Sequence, residues 1–354
     1  MLSNSAFSDP LVSVVIPVFN AEKFVYRCYE SLSKQTLQNI EFIFIDDGSS
    51  DRSFEFIQLI QKSDSRISCH SKVNQGAGIA RNFGLEKAKG EYVGFMDIDD
   101  DIAPNMFEKL VTTAKLYHAD AVSCGHLLIH ESGKNEERSD VAEIEIFNNA
   151  SLIREHQLGL ISPNTNSKAS RVYSCSVWCT LFKKSVIDRH QIKFYSEREL
   201  VSEDLVFRVE FLNYADSVVL IPDLLYYYSK NEGSLTTTIF LDKFYRMFQL
   251  KQRINHLLPD LSGQDRTNKL ICDYLRSLLL MSLFVNGNSV TRGYIKEVVH
   301  SHEFLGLIKE FPPNKIRRKS KRLFYRLLIC REVNLSFLYL YLIKIYKVFK
   351  SQKS

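Results

Sequence analysis

Residues 11–128 alternate between short β-branched runs and stretches whose apolar positions recur every three or four residues, and few architectures satisfy both patterns in turn. Leu11–Phe19 (LVSVVIPVF), Ile40–Ile45 (IEFIFI), Arg66–His70, Glu91–Met96 and Ala119–Leu128 read as strands. Between them, Phe24, Cys28 and Leu32 recur at helical spacing, and Ser49 or Ser50 caps a second helix with Asp51 in its first turn. Gly76–Ala88 reads as a third helix, and Pro104 opens a fourth that runs to about Tyr117. Repeated strand–helix units of this kind predict a parallel α/β sheet.

Further along, the pattern weakens between Ile129 and Arg171, where polar stretches at 131–140 and 162–170 read as a hairpin tip and a mobile loop. Order returns with short helices over Trp178–Arg189 and Ser202–Asn213, then strands over Ser217–Ile221 and Leu224–Tyr228. Beyond Ile239 only helices are predicted. The boundary is placed near 240, dividing the chain into 1–240 and a helical region, 241–354.

Composition excludes several classes. Seven cysteines are scattered without a CxxC pair, which argues for a reducing cytosol and against a disulfide framework or a zinc site. The first ten residues are polar and show no secretory signal. The most apolar runs, Leu278–Val285 and Phe337–Ile343, fall short of the roughly 20 residues that span a bilayer. Net charge is +5, yet residues 312–354 hold 12 Lys/Arg and one acid, so everything before them is net negative.

Chemistry concentrates in Phe95-Met96-Asp97-Ile98-Asp99-Asp100-Asp101, an acid run directly behind a strand. Ligands of parallel sheets sit in the crevice at the carboxyl ends of strands. Packed carboxylates repel one another, and such a cluster holds a divalent cation and, through it, something phosphorylated. Two other strands end in polar groups that can face the same crevice, at Pro17-Val18-Phe19-Asn20 and Asp46-Asp47-Gly48-Ser49. Neither GxxxxGK[ST] nor GxGxxG follows the first strand, which removes P-loop and dinucleotide readings. Asp100 and Asp101 read as surface acids, with Asp101 placed to help start the next helix.

Taken together, residues 11–235 resemble glycosyltransferase family 2. The segments that carry the resemblance are VSVVIPVFNAEKF (12–24), IFIDDGSSDRS (43–53), NQGAGIARNFGL (74–85), EYVGFMDIDDD (91–101), VWCTLFKKSVI (177–187), SEDLVFRVEFL (202–212) and YYYSKNEGSLT (226–236). The resemblance implies a GT-A fold: a Rossmann-like, mixed, mostly parallel sheet flanked by helices, with a C-terminal helical region. It also implies roles. Pro17, Phe19 and Asn20 line the base and ribose of a nucleotide-sugar, and Asp46 or Asp47 accepts the uracil N3–H, with Asp47 slightly favoured. Asn74 and Arg81 contact base or diphosphate, and Arg suits a phosphate because its planar fork is always charged. Asp97 and Asp99 match the DxD pair, Asp99 binding Mn²⁺ or Mg²⁺ and Asp97 meeting ribose or metal shell. Glu203 and Asp204 stand beside the acceptor, Asp204 aligning with the general base of an inverting displacement. Trp178 either stacks on an acceptor sugar or packs in the core. Two departures concern the acceptor side: Thr180 stands where Lys or Arg is common, and no Arg or His precedes Gly233-Ser234.

The expected reaction moves a sugar from a nucleotide-sugar, UDP-linked by preference, to a surface polysaccharide (capsule or lipopolysaccharide) or a lipid-linked oligosaccharide at the cytoplasmic face. The basic stretch KIRRKSKRLFYR (315–326) and the apolar 335–343 after it read as an amphipathic attachment to anionic membrane, each cation adding roughly 1 kcal/mol. Packing on the catalytic domain or on a second copy of the chain is the alternative, and nucleic acid is the less favoured partner. Two rival functions remain: a sugar nucleotidyltransferase, whose basic glycine loop is absent, and a catalytically silent membrane or nucleic-acid adaptor.

Overall fold

A computed structural model describes residues 9–130, 135–162, 173–229 and 242–351. They fall into two compact units, one of residues 9–157 and 173–229, the other of 158–162 and 242–351. The chain crosses between them at 157/158, returns by 173, and crosses again within 230–241. Residues 230–241 lie outside the described residues, as do the tip of the proposed hairpin, most of the 162–170 loop and Gly233-Ser234.

The first unit is built on a ten-stranded sheet among the described residues. Its strands are β1 (Val12–Val18), β2 (Ile40–Asp46), β3 (Ile67–Ser71), β4 (Tyr92–Phe95), β5 (Asp101–Ile102), β6 (Ala121–Ile129), β7 (Glu136–Arg138), β8 (Glu145–Phe147), β9 (Thr180–Lys183) and β10 (Val218–Ser229). The order is β3-β2-β1-β4-β9-β6-β10-β5, with β7 on β6 and β8 on β10. Strands β3, β2, β1 and β4 run parallel, as the alternation demands, and β6 with β10 forms a second parallel pair. The sheet is therefore mixed and mostly parallel.

Helices α1 (Val25–Ser33), α2 (Ser53–Gln61), α3 (Ala77–Lys87) and α4 (Met106–Leu116) make the crossovers. Every residue of β1 is buried, the pattern of a central strand covered on both faces. Each such Val or Ile contributes about 1.5–3 kcal/mol relative to an exposed one. Helix α3 lies close on β1: a Cβ at Gly84 would stand 2.2 Å from Val15 Cγ1, so no larger residue fits there.

Several expectations needed correction. Trp178–Arg189 is not one helix; β9 inserts antiparallel between β4 and β6, and only then does α6 (Lys184–His190) begin. A short apolar run reads equally as strand or helix, and the open ladder edges of β4 and β6 decide. The two strands at 217–228 are one, β10, whose pairing to β6 shifts register between Leu220 and Leu224. Helix α2 is started not by Ser49 or Ser50, which are turned toward Asn20, but by Asp51, whose Oδ1 accepts from Ser53 N at 3.0 Å. Pro104 precedes α4 by two residues, and its carbonyl accepts from Thr36 N instead. Helix α5 (Ala150–Ile161) was unforeseen. The acidic pair opens α7 (Glu203–Leu212) as expected.

The second unit is helical among its described residues: α8 (Asp242–Leu257), α9 (Leu261–Val285), α10 (Gly287–His300), α11 (His302–Glu310), α12 (Lys319–Ile329) and α13 (Val333–Ser351). Asp260 caps α9 by accepting from Gly263 N at 2.7 Å, worth about 1 kcal/mol. The basic segment is not a free tail. Phe324, Tyr325 and Leu328 of α12 and Phe337 and Leu340 of α13 are buried, while Leu335, Leu338, Leu342 and Tyr346 form an exposed apolar stripe. No helix of the described residues is long and apolar enough to cross a membrane.

Candidate active site

Three strand ends meet beside one another because β2, β1 and β4 are sheet neighbours. At the end of β1, Asn20 adopts φ +47°, a left-handed turn that Asn tolerates. Its Oδ1 accepts from Ser50 N at 2.8 Å and its own N donates to Ser49 Oγ at 3.0 Å, which ties the first turn to the second. Pro17 is buried, whereas the Phe19 ring is 53% exposed.

Asp46 and Asp47 are both buried at the end of β2. Asp46 accepts from Ser71 Oγ at 2.8 Å and Ser49 N at 3.2 Å. Asp47 accepts from Lys72 Nζ at 2.7 Å and from Gly76 N at 2.7 Å, with Gln75 N at 3.1 Å. Gly76 takes φ +98° to present that N–H. The carboxylate so holds the entry to α3, and Asn74 lies just before it, held by the Arg198 guanidinium.

Behind β4, burial alternates along the acid run: Asp97 and Asp99 are partly exposed, Ile98 and Asp100 buried. The expectation of a surface Asp100 is therefore corrected. Its Oδ2 accepts from Tyr226 Oη at 2.6 Å and its Oδ1 from Ser229 N at 2.8 Å. Burial pushes this carboxyl up to about 8, and the negative Asp97 adds to the rise. Asp101 begins no helix; it lies in β5, in an ion pair with Arg27 at 3.4 Å.

Arg81 joins the halves of the site. Its guanidinium, projecting from α3 and almost fully buried, meets Asp97 at 2.9 Å, Glu203 at 3.2 Å and Asp204 at 3.3 Å. Burial alone would lower its affinity for a proton, but Asp204, Asp97 and Glu203 outweigh that, and the cation is held well above the usual arginine range. The carboxylates respond to the same enclosure. Burial and then the Asp204 charge push Glu203 up to about 7, against the pull of Arg81. Asp204 is also raised by burial, with Arg81 opposing. Carboxyls tuned upward in this way can take a proton near neutral pH. Val177 N donates to Asp204 Oδ2 at 3.3 Å and fixes its far oxygen.

Trp178 is buried. It stacks on Tyr226 with centroids 4.2 Å apart, lies parallel to Tyr228 at 5.7 Å, and meets His126 edge-on. Thr180 also faces inward and shares a hydrogen bond of 2.8 Å with Ser123 Oγ. Sequence reasoning overlooked Arg208, one turn beyond Asp204 on α7. Its guanidinium donates to Ser174 O, Ser176 O and Ser123 Oγ, and so braces the segment before β9 whose Val177 N reaches Asp204. The i,i+4 spacing from Asp204 was the available signal. Glu197 was missed too; its carboxylate accepts from Ala77 N at 3.2 Å and Gly78 N at 3.3 Å at the start of α3.

Comparison with known proteins fits this geometry. The profile described as Glycosyl transferase family 2 matches residues 13–190. The uncharacterized glycosyltransferase EpsJ of Bacillus subtilis (strain 168) is 28% identical over 285 residues, covering 79% of this chain and 80% of EpsJ. The poly(ribitol-phosphate) beta-N-acetylglucosaminyltransferase TarP of Staphylococcus aureus (strain N315) is 27% identical over 282 residues, 76% of this chain and 79% of TarP. Among solved structures, S. aureus TarS residues 1–349 in complex with UDP-GlcNAc superposes with a TM-score of 0.66 at 18% identity, covering 94% of this chain and 91% of that one. With its mixed sheet of GT-A type and its family profile over half the sequence, the chain belongs to glycosyltransferase family 2.

Proposed function

We propose that the chain transfers a sugar from a UDP-sugar to a hydroxyl of a growing surface polysaccharide or lipid-linked oligosaccharide, with inversion at the anomeric carbon. The observation that carries this reading is the Arg81 bridge, because it brings the donor-side Asp97 and the acceptor-side Glu203 and Asp204 onto one guanidinium. The exposed Phe19 ring offers a face on which a base stacks, with Pro17 and Asn20 at its sides. Asp46 or Asp47 meets the uracil edge, and Asn74 with Arg81 faces the diphosphate. The UDP-GlcNAc complex of TarS supports the choice of nucleotide, and the name of TarP supports an N-acetylhexosamine as one candidate sugar.

Asp204 takes the proton of the acceptor hydroxyl as its oxygen attacks the anomeric carbon, and the bond to the nucleotide diphosphate breaks on the opposite side. A single base opposite the leaving group gives inversion without a covalent intermediate. Glu203 sits beside Asp204 and shares the Arg81 pairing. Trp178 is retained only as a residue behind the acceptor side, since its ring is packed among Tyr226, Tyr228 and His126.

A divalent cation fits the acid run. Asp97 and Asp99 are two partly exposed carboxylates of one turn, and no group of three or more His, Cys, Asp or Glu among the described residues forms a self-contained metal cage. Mg²⁺ or Mn²⁺ sites of that poverty take their remaining oxygens from substrate phosphates and water. Such an ion, held chiefly by Asp99, would neutralise the charge that builds on the departing diphosphate. The exposed cations of α12 and the apolar stripe of α13 form the proposed peripheral contact with anionic membrane, where a lipid-linked acceptor resides.

The test is a panel of UDP-, GDP- and dTDP-sugars assayed for hydrolysis and transfer with and without Mn²⁺. Metal-stimulated turnover of a UDP-sugar that is lost in Asp99→Ala is expected. A silent adaptor would show neither.

A further inference from the structure

The turn that carries Asp97 and Asp99 is gripped from its inner side by groups far away in sequence. Tyr226, in β10, is fully buried, and its single hydroxyl makes two bonds: it accepts from Asp97 N at 3.2 Å and donates to Asp100 Oδ2 at 2.6 Å. Asp100 in turn accepts from Ser229 N at 2.8 Å. The other flank is held by Arg27 of α1, which donates to the Asp99 carbonyl and to Ser229 Oγ and pairs with Asp101.

The position of that hydroxyl is fixed by more than the turn. The Tyr226 ring is stacked on Trp178 at 4.2 Å, and the Tyr226 backbone pairs with Ile102 of β5 and His126 of β6. It is a fixed point to which the turn is tied. Tied there, Asp100 points into the protein while its neighbours Asp97 and Asp99 remain on the partly exposed side. Removing the hydroxyl would leave a buried N–H and a buried carboxylate oxygen each without this partner, and the turn would have to shift to find others.

We infer that Tyr226 is a positioning residue for the cation and diphosphate, holding the Asp97 backbone and the Asp100 side chain so that the two outward carboxylates are presented together. This rests on the cation-assisted reading above. Groups that orient metal ligands from behind are worth roughly 10–100-fold in metal affinity.

The experiment titrates Mn²⁺ into the full chain with UDP present and follows the free-ion EPR signal. Tyr226→Phe keeps the ring and its stacking; its Mn²⁺ affinity is expected to fall roughly 10-fold or more, with turnover recovering as Mn²⁺ saturates. Asp100→Asn, which keeps shape and one acceptor oxygen, should weaken Mn²⁺ in the same direction by less. The control is Tyr325→Phe, which deletes another buried hydroxyl, the one bonded to the Cys272 carbonyl in the helical unit; it should melt lower and bind Mn²⁺ like the parent. Parental Mn²⁺ affinity in both Tyr226→Phe and Asp100→Asn, whatever their melting temperatures, overturns the inference. Asp99→Ala separates the two ideas. If it abolishes Mn²⁺ binding while Tyr226→Phe and Asp100→Asn both bind Mn²⁺ like the parent, only the positioning role falls. If it too binds Mn²⁺ like the parent, the cation site itself is misassigned and Tyr226 loses its purpose.

Discussion

The sheet unit and the helical unit place their charges in opposite ways. In the first, Arg81, Asp46, Asp47, Asp100 and Arg208 are buried and each is matched by specific partners. In the second, Arg318, Lys319, Arg326 and Lys347 stand exposed, on helices that also expose Leu323, Leu335 and Leu338. Buried ions are costly unless paired, so their concentration marks where chemistry is done. Exposed cations beside apolar side chains cost little, and it is on these that the proposed membrane contact relies.

That contrast exposes itself to measurement. The largest effect belongs to Asp204→Asn, which keeps the shape of the site and removes the proposed base; transfer should fall about 10²–10⁴-fold while donor KM changes little. Near-parental transfer in this variant would mean that another group takes the proton. Next comes deletion of one partner from a charge pair in each unit. Arg81→Ala strands Glu203, Asp204 and the partly exposed Asp97 and should cost about 3–5 kcal/mol in denaturant unfolding. Asp265→Asn, facing Lys315 across a pair whose side chains are 50% and 43% exposed, should cost at most about 1 kcal/mol. Equal costs would erase the distinction between the units.

The effect of pH is smaller and has two signs. Because burial raises Asp204, transfer should decline on acidification at a pH above the ordinary aspartate range, as the proposed base takes up a proton. Stability runs the other way. An unfolded glutamate releases its proton near 4.5 while the folded chain still holds it, so stability should fall as pH rises from 4.5 to about 7 and level off above. Glu203→Gln should flatten that window, as read from melting temperature at pH 5 and pH 8. Least of all in stability, reversing Arg318, Lys319 and Arg326 to Glu should move unfolding by only about 0.5 kcal/mol per site. The same triple change should abolish co-sedimentation with anionic liposomes. Retained binding would take these three cations out of the proposed membrane contact.

What could be read beforehand was whatever local pattern determines. The parallel strands followed from β-branched runs, and the acid turns followed from where those runs stop. Strand β9 escaped because Thr180–Lys183 has no periodicity of its own and becomes a strand only between β4 and β6. Asp100 was misjudged for the opposite reason: its acidic neighbours suggest water, yet its partners Tyr226 and Ser229 lie more than a hundred residues away. The dual engagement of Arg81 was hidden likewise, since helix spacing reports which residues share a face but not what that face meets. In the helical unit, basic composition pointed to a tail, and only packing reveals that α12 and α13 contribute Phe324, Tyr325 and Leu340 to a core.

One guanidinium serving three carboxylates also limits how such an enzyme can diverge. On the proposed roles, a substitution that re-seats Asp97 to welcome a different leaving nucleotide pulls on the guanidinium that also pairs with Asp204. Changing the sugar supplier and changing the recipient are thus coupled problems, and directed evolution of one should be screened for damage to the other.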